Sequence, residues 1–247
     1  MDRELSVHFL PDLFEPDDLR GGIAVVIDVL RASTTIVHAL ANGARSVIPV
    51  GEVEAARQTR SAGLAGELLL GGEREGKRIE GFDLGNSPLA YTKDVVEAKT
   101  IVFTTTNGVR AMLCAKRAER VLVGAFVNAG AVVRLLVETH KPVHLVCAGT
   151  DGRISAEDVL CAGALADGML RNADHLCLND TAVIANDFYN AHCGERDSFF
   201  EAFCLGAGSK NLFELGYDDD VHRSAQRDLF DLVPEYFSVS GEIRVGK

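Results

Sequence analysis

Five short stretches of the chain carry side chains suited to handling an anion. The first places Asp28 directly after an apolar run and follows it with Arg31, Ser33 and Thr34. A carboxylate there could ligate a metal, attack as a nucleophile or cap the next helix. Ser33 and Thr34 lie nearer the expected helix start and are good N-caps, which favours chemistry for Asp28. Arg31 offers a planar fork that matches phosphate or sulfonate oxygens.

The second stretch, Gly71 to Arg78, comes close to a nucleotide-binding G-x-x-x-x-G-K-[ST] loop. Its last position is Arg, and Glu73 and Glu75 sit where backbone amides should cradle phosphate, so that reading is rejected. A glycine-rich loop with Glu73 as a Mg²⁺ ligand and Arg74 as an anion clamp fits better; a solvated charge run is the plain alternative. The third pairs Asn86 with Ser87-Pro88, a helix-start signal whose free N–H groups would seat an anion, or else a capped turn alone. The fourth, Thr104-Thr105-Thr106-Asn107-Gly108 with Arg110 beyond, offers hydroxyls and amides for phosphate or sulfonate; an ST-capped turn is its bland reading. The fifth leads through Ser155 to Glu157 and Asp158, which either favour the helix dipole or reach a Mg²⁺.

The elements that must position these groups alternate. Val25–Asp28, Ser46–Val50, Leu68–Leu70, Thr100–Phe103, Val121–Val123 and Val143–Cys147 read as strands, with helices near Thr34–Ala41, Val53–Ala62, Val109–Arg117 and Ala129–Thr139. Beyond Gly152 the pattern turns helical, at Ser155–Leu170, Asp180–His192, Asp197–Cys204 and Asp218–Asp228, before a closing strand or hairpin in Tyr236–Val245. This predicts an α/β fold, a largely parallel or mixed sheet flanked by helices, as one continuous domain over 1–247 that admits two lobes. Three apolar strands end in small polar residues, after Ile27, Phe103 and Val146, and the carboxyl ends of such strands are where ligands gather in open α/β sheets.

Composition narrows the function classes. The 247 residues carry a net charge of −11, with no cluster of basic residues, which argues against nucleic acid. The longest apolar run, Ile23 to Leu30, is broken by Asp28 and is far shorter than the roughly 20 residues a bilayer helix needs. No membrane partner is expected, and an acidic amino terminus without signal-peptide character suggests the cytoplasm. Six scattered cysteines without a C-x-x-C pair and seven histidines without H-E-x-x-H spacing argue against disulfides and zinc. Size and apolar content suggest a homodimer.

Together, Val26-Ile27-Asp28-Val29-Leu30-Arg31-Ala32-Ser33-Thr34-Thr35, Gly72-Glu73-Arg74, Gly81 through Pro88, Thr105-Thr106-Asn107-Gly108 and Cys147-Ala148-Gly149 resemble the 2-phosphosulfolactate phosphatase family. The likeness extends to Glu157-Asp158 and to Gly216-Tyr217 with Asp220. It implies the family's own α/β fold and a Mg²⁺-dependent phosphatase converting (R)-2-phospho-3-sulfolactate to 3-sulfolactate and phosphate, in the route to coenzyme M. On that footing Asp28, Arg31 and Arg74 are the expected catalytic groups. Ser33, Thr34, Asn86, Ser87, Thr105, Thr106, Asn107 and Gly108 are expected to bind a small anionic substrate, and Asp28, Glu73, Glu157 and Asp158 to hold Mg²⁺. Asp28 either holds the metal or attacks phosphorus; Leu30 stands where an Asp-x-Asp phosphatase has its second aspartate, which favours the metal role. A phosphatase for another small phosphorylated acid and a non-catalytic anion-binding protein are the alternatives.

Overall fold

The computed structural model describes residues 3–61 and 68–246. Its strands are β1 (Arg3–His8), β2 (Ile23–Ile27), β3 (Ser46–Pro49), β4 (Leu68–Arg74), β5 (Lys77–Arg78), β6 (Thr100–Thr104), β7 (Arg120–Gly124), β8 (Val143–Cys147), β9 (Leu176–Leu178), β10 (Pro234–Phe237) and β11 (Glu242–Val245). The helices are α1 (Ala32–Ala41), α2 (Val53–Ser61), α3 (Lys93–Val96), α4 (Gly108–Cys114), α5 (Ala129–Val137), α6 (Ala156–Asn172), α7 (Asp180–His192), α8 (Arg196–Phe203), α9 (Ala207–Glu214) and α10 (Asp218–Ser224). Among the described residues no helix is long and apolar enough to cross a membrane.

Successive side chains of a strand point to opposite faces, and here both faces are covered. Ile23, Val25 and Ile27 of β2 pack with Leu145 and Cys147 of β8 against Leu160, Leu165 and Met169 of α6. The intervening Ala24 and Val26 face the other way, toward Ile36 and Leu40 of α1 and Met112 of α4. Both five-residue strands are therefore buried throughout, which explains their nearly unbroken apolar sequence.

All eleven strands join one sheet in the order β5-β4-β6-β3-β11-β10-β7-β2-β8-β1-β9. Parallel pairs link β4 to β6 and β6 to β3, and again run from β7 through β2, β8 and β1 to β9. Between these blocks the carboxyl-terminal hairpin of β10 and β11 makes three antiparallel pairings. Three reversals in a row leave the two parallel blocks running in opposite senses along the ladder. A flat sheet would send their carboxyl ends to opposite edges, but strand twist accumulates over the intervening steps. The end of β6 lies beside the end of β2: a Cβ on Gly108 would lie 2.6 Å from Asp28 Oδ2 and 2.7 Å from the Ala32 Cβ.

Most expected elements are present, including α7 over the predicted span. Ala62, the expected end of α2, lies outside the described residues. Three expectations need correction. Gly71 to Arg74 continues β4 and turns back at Glu75-Gly76 into β5, so the segment is a hairpin and not a loop. Gly72 has φ +143°, and any Cβ there would collide with the Thr104 carbonyl, so glycine lets β4 run against the end of β6. Ser87-Pro88 does start a helix, with Ser87 at the N-cap and Pro88 next, but it is a single 3₁₀ turn, Pro88–Ala90, and the Ser87 side chain does not cap it. The α1 N-terminus is served by Asp28: its Oδ1 accepts from Ala32 N at 3.3 Å and its carbonyl from Ser33 N at 2.8 Å, while Ser33 and Thr34 lie inside the helix.

Candidate active site

The ends of β2, β4, β6 and β8 enclose a cavity of about 640 Å³. Asp28, Arg31, Glu73, Arg74, Asn86, Thr106 and Asn107 all line it, gathered from four separate stretches of the sequence. The far wall comes from Gly208, Asn211 and Leu212 of α9, which no sequence motif announced. Thr150 and Asp151 close the side beyond β8.

Asp28 leaves β2 only 6% exposed. Its backbone N–H donates to Ser33 Oγ at 2.9 Å, which fixes the turn. Burial, then the nearby charges of Glu73 and Glu157, push its carboxyl up to about 7 against the smaller opposing pull of the Ala32 amide and Arg31. Arg31 is equally enclosed. Its Nη1 donates to Asp220 Oδ2 at 2.6 Å, its Nη2 to the Gly76 carbonyl at 2.7 Å, and its guanidinium lies 4.4 Å from the centre of the Tyr217 ring.

Glu73 and Arg74 leave β4 in opposite directions, as strand neighbours do. Glu73 Oε2 accepts from Gly76 N at 2.9 Å, and Oε1 accepts from Thr106 N at 2.9 Å and Thr106 Oγ1 at 3.1 Å. Thr106 is thus occupied by the chain's own carboxylate. Arg74 donates from Nη1 to the Glu73 carbonyl and from Nη2 to the Gly51 carbonyl and Thr104 Oγ1. Asn107 Oδ1 accepts from Asp151 N at 3.2 Å and ties the β6 end to the β8 end. Asn86 is 5% exposed, lines the cavity, and its buried Oδ1 has no hydrogen-bond partner.

The remaining expected site residues do not reach the cavity wall. Ser33 and Thr34 give their hydroxyls to the carbonyls of Val26 and Val29. Ser87 Oγ donates to Asp220 Oδ1 at 2.6 Å, and Thr105 Oγ1 accepts from Val109 N. Gly108 serves by lacking a side chain, since Asp28 fills the space beside it. Arg110 pairs with Asp12 on the surface. Asp158 is a brace: Oδ1 accepts from Val29 N at 2.9 Å and Oδ2 from Gly149 N at 3.0 Å, pinning the β2 end to the β8 end. Burial, with Glu157 and Asp28 adding to it, raises its carboxyl well above the usual range. Glu157 sits one layer behind the cavity, beneath Gly206 and Gly208; burial pushes it up to about 7, and its Oε2 has no partner.

Asp28, Glu73, Glu157 and Asp158 make an excess of buried oxygen donors, of which one oxygen is orphaned. That chemistry suits a hard cation. Among the described residues, however, no three acidic, histidine or cysteine side chains form a group able to hold a metal ion. The donor set therefore fits Mg²⁺ held by a single carboxylate, Asp28 on the cavity wall, with water and ligand oxygens completing its shell, a common arrangement for that ion. Asp158 and Glu73 each have both oxygens committed to hydrogen bonds within the chain and do not fit the role.

A crevice of arginines, carboxylates and amides where parallel strands end defines an α/β protein with a charged, polar cavity at its strand ends. A family model described as 2-phosphosulpholactate phosphatase matches residues 8–238. The chain is 40% identical over 218 residues to a protein of Caldanaerobacter subterraneus subsp. tengcongensis, a match spanning 88% of this chain and 89% of that one. It is 37% identical over 244 residues to one of Clostridium perfringens (strain SM101 / Type A), spanning 98% and 96%. A Thermotoga petrophila protein is 43% identical over 211 residues, spanning 85% and 87%. Each of the three is named a probable 2-phosphosulfolactate phosphatase. The chain belongs to the 2-phosphosulfolactate phosphatase family.

Proposed function

We propose that the chain is a phosphoric monoester hydrolase that converts (R)-2-phospho-3-sulfolactate to 3-sulfolactate and phosphate. The observation that carries the reading is the convergence of Asp28, Arg31, Arg74 and Asn107 on one cavity of about 640 Å³, together with family membership. A place in the coenzyme M route and a cytoplasmic setting belong to the same proposal.

Hydrolysis of a phosphate monoester needs charge neutralised on the transferring oxygens, an aligned nucleophile and a stabilised leaving oxygen. Arg31 spends one donor each from Nη1 and Nη2 on its own fixation, and the rest of its fork serves the phosphoryl oxygens. Arg74 has both terminal nitrogens tied to the wall, so it acts as a fixed positive field. Asn86 and Asn107 present neutral amides, suited to a weakly basic sulfonate or carboxylate. Asp28 would hold Mg²⁺, while Glu73 stays on Gly76 and Thr106. When bound, that ion supplies Lewis-acid neutralisation of phosphoryl charge and lowers the pKa of water. Asp28, buried and held by the α1 N-terminus, keeps its carboxylate in one orientation on the cavity wall.

Phosphate release from 2-phospho-3-sulfolactate should require Mg²⁺, stop with EDTA, and fall roughly 10²–10³-fold in Asp28→Asn. Calorimetric binding of the substrate without turnover would replace hydrolysis with ligand binding. Turnover of phospholactate but not of the sulfonate would reassign the substrate.

A further inference from the structure

Arg31 is a long, flexible side chain whose usefulness depends on where its fork points. Three groups from two separate segments hold it. Asp220 Oδ2 takes Nη1 at 2.6 Å, the Gly76 carbonyl takes Nη2 at 2.7 Å, and the Tyr217 ring covers the guanidinium face at 4.4 Å. Both members of the ion pair are only 3% exposed at the side chain. Asp220 is itself fixed on its other oxygen by Ser87 Oγ at 2.6 Å, and Tyr217 and Asp220 stand three residues apart at the start of α10. Hydrogen-bond direction and ring contact together restrict both the tilt and the rotation of the guanidinium, and Arg31 lines the cavity.

We infer that Asp220 and Tyr217 are positioning residues that aim Arg31 at the phosphoryl group, and that Ser87 sets Asp220 for this task. The inference rests on Arg31 acting on the substrate as described above. It goes further by assigning the α10 turn, which does not line the cavity, a part in turnover. Two opposite effects separate aiming from mere field. Removing the Asp220 charge makes the site more positive, which by itself tightens anion binding; loss of aim instead lowers the rate of the chemical step. A misplacement on the order of 1 Å costs about 10²-fold.

The deciding experiment uses Asp220→Asn, Arg31→Ala and the double variant, with circular dichroism to verify folding. Asp220→Asn should lower kcat about 10-fold to 100-fold while KM moves much less. Arg31→Ala leaves an empty socket opening on the cavity, still holding Asp220, the Gly76 carbonyl and the Tyr217 face. Added guanidinium ion should bind this socket in calorimetry and restore part of the lost turnover, and both effects should vanish in the double variant. A kcat for Asp220→Asn equal to the parent's, or equal rescue with and without the Asp220 charge, overturns the positioning role. Should the parent fail to hydrolyse 2-phospho-3-sulfolactate, the proposed activity falls. Guanidinium binding to Arg31→Ala still reads the clamp, and its independence of Asp220 would overturn the clamp separately.

Discussion

Asp28→Asn should stabilise the metal-free protein at alkaline pH, although it removes a residue placed at the centre of the site. The folded carboxyl is pushed up to about 7, first by burial and then by Glu73 and Glu157, whereas an unfolded aspartate titrates near 4. Between those values the folded chain retains a proton that the unfolded chain has released. Its contribution to stability is therefore complete below about pH 4, declines as pH rises, and is gone above about pH 7. Across that window the linkage amounts to roughly 4 kcal/mol, an upper figure because the proton is shared with neighbouring carboxylates. Asparagine carries no such proton and no such loss.

The parent's own pH curve would hide this effect. Burial pushes His8 and His38 down to about 4, so they resist protonation in the folded state and add stability as pH rises toward 6.5. The two trends oppose each other, and only the difference between variant and parent isolates Asp28. Urea unfolding followed by far-ultraviolet circular dichroism is the suitable assay, since the chain has no tryptophan and four tyrosines. Measured in EDTA, Asp28→Asn should gain on the parent from pH 4 to about pH 7 and level off above it, and Mg²⁺ should close the gap by stabilising the parent alone. A difference that stays flat with pH would refute the reasoning, because Asp28 would then be ionised in the folded state and compensated by Arg31.

Three further outcomes follow from the geometry. Gly108→Ala places a methyl 2.6 Å from Asp28 Oδ2, so the carboxylate or α4 must shift; a loss of about 1–3 kcal/mol in urea unfolding and a larger loss of phosphate release are expected. Unchanged turnover would show that Asp28 has room to move. Asp158→Ala leaves the buried amides of Val29 and Gly149 unpaired, each costing about 1–3 kcal/mol, which the same unfolding assay should register. Arg110→Ala breaks an exposed pair with Asp12 and should change stability by less than about 1 kcal/mol with normal turnover; a large activity loss would return Arg110 to the site.

The strands were legible because burial on both faces writes itself as an apolar run, as in Ile23–Ile27 and Val143–Cys147. β9, three half-buried or exposed residues at the sheet edge, carries no such signal, and β1 has only Leu5, Ser6 and Val7 buried. Within the site, residue type revealed Asp28, Arg31, Glu73, Arg74, Asn86 and Asn107, since each is polar beside an apolar strand or a turn. It could not rank hydroxyls. Thr106 and Ser87 have the same chemistry as a substrate-binding hydroxyl, and only coordinates reveal that Glu73 and Asp220 already occupy them. The α9 wall escaped for a different reason: Gly208 and Leu212 line the cavity without any chemical group that would single them out.

Convergence of strand ends is what the alternating pattern led one to expect, yet the route to it differs from an open parallel sheet. There, neighbouring parallel strands separate at a switch point and the crevice opens between them. Here the β10–β11 hairpin stands between two parallel blocks and reverses one against the other. Opposed blocks can share a crevice only if the sheet curls far enough for their ends to touch. The touching point is Gly108 against Asp28 and Ala32, where no side chain larger than hydrogen fits. Glycine at the α4 start and aspartate at the β2 end are thus one constraint seen from two sides. Two arginines tie the walls of this crevice together, Arg31 through Asp220 as well as a carbonyl. Arg31 reaches across to Gly76 in the β4–β5 turn, and Arg74 ties β4 to Gly51 and Thr104. Each holds the crevice together with the same guanidinium that gives it positive field.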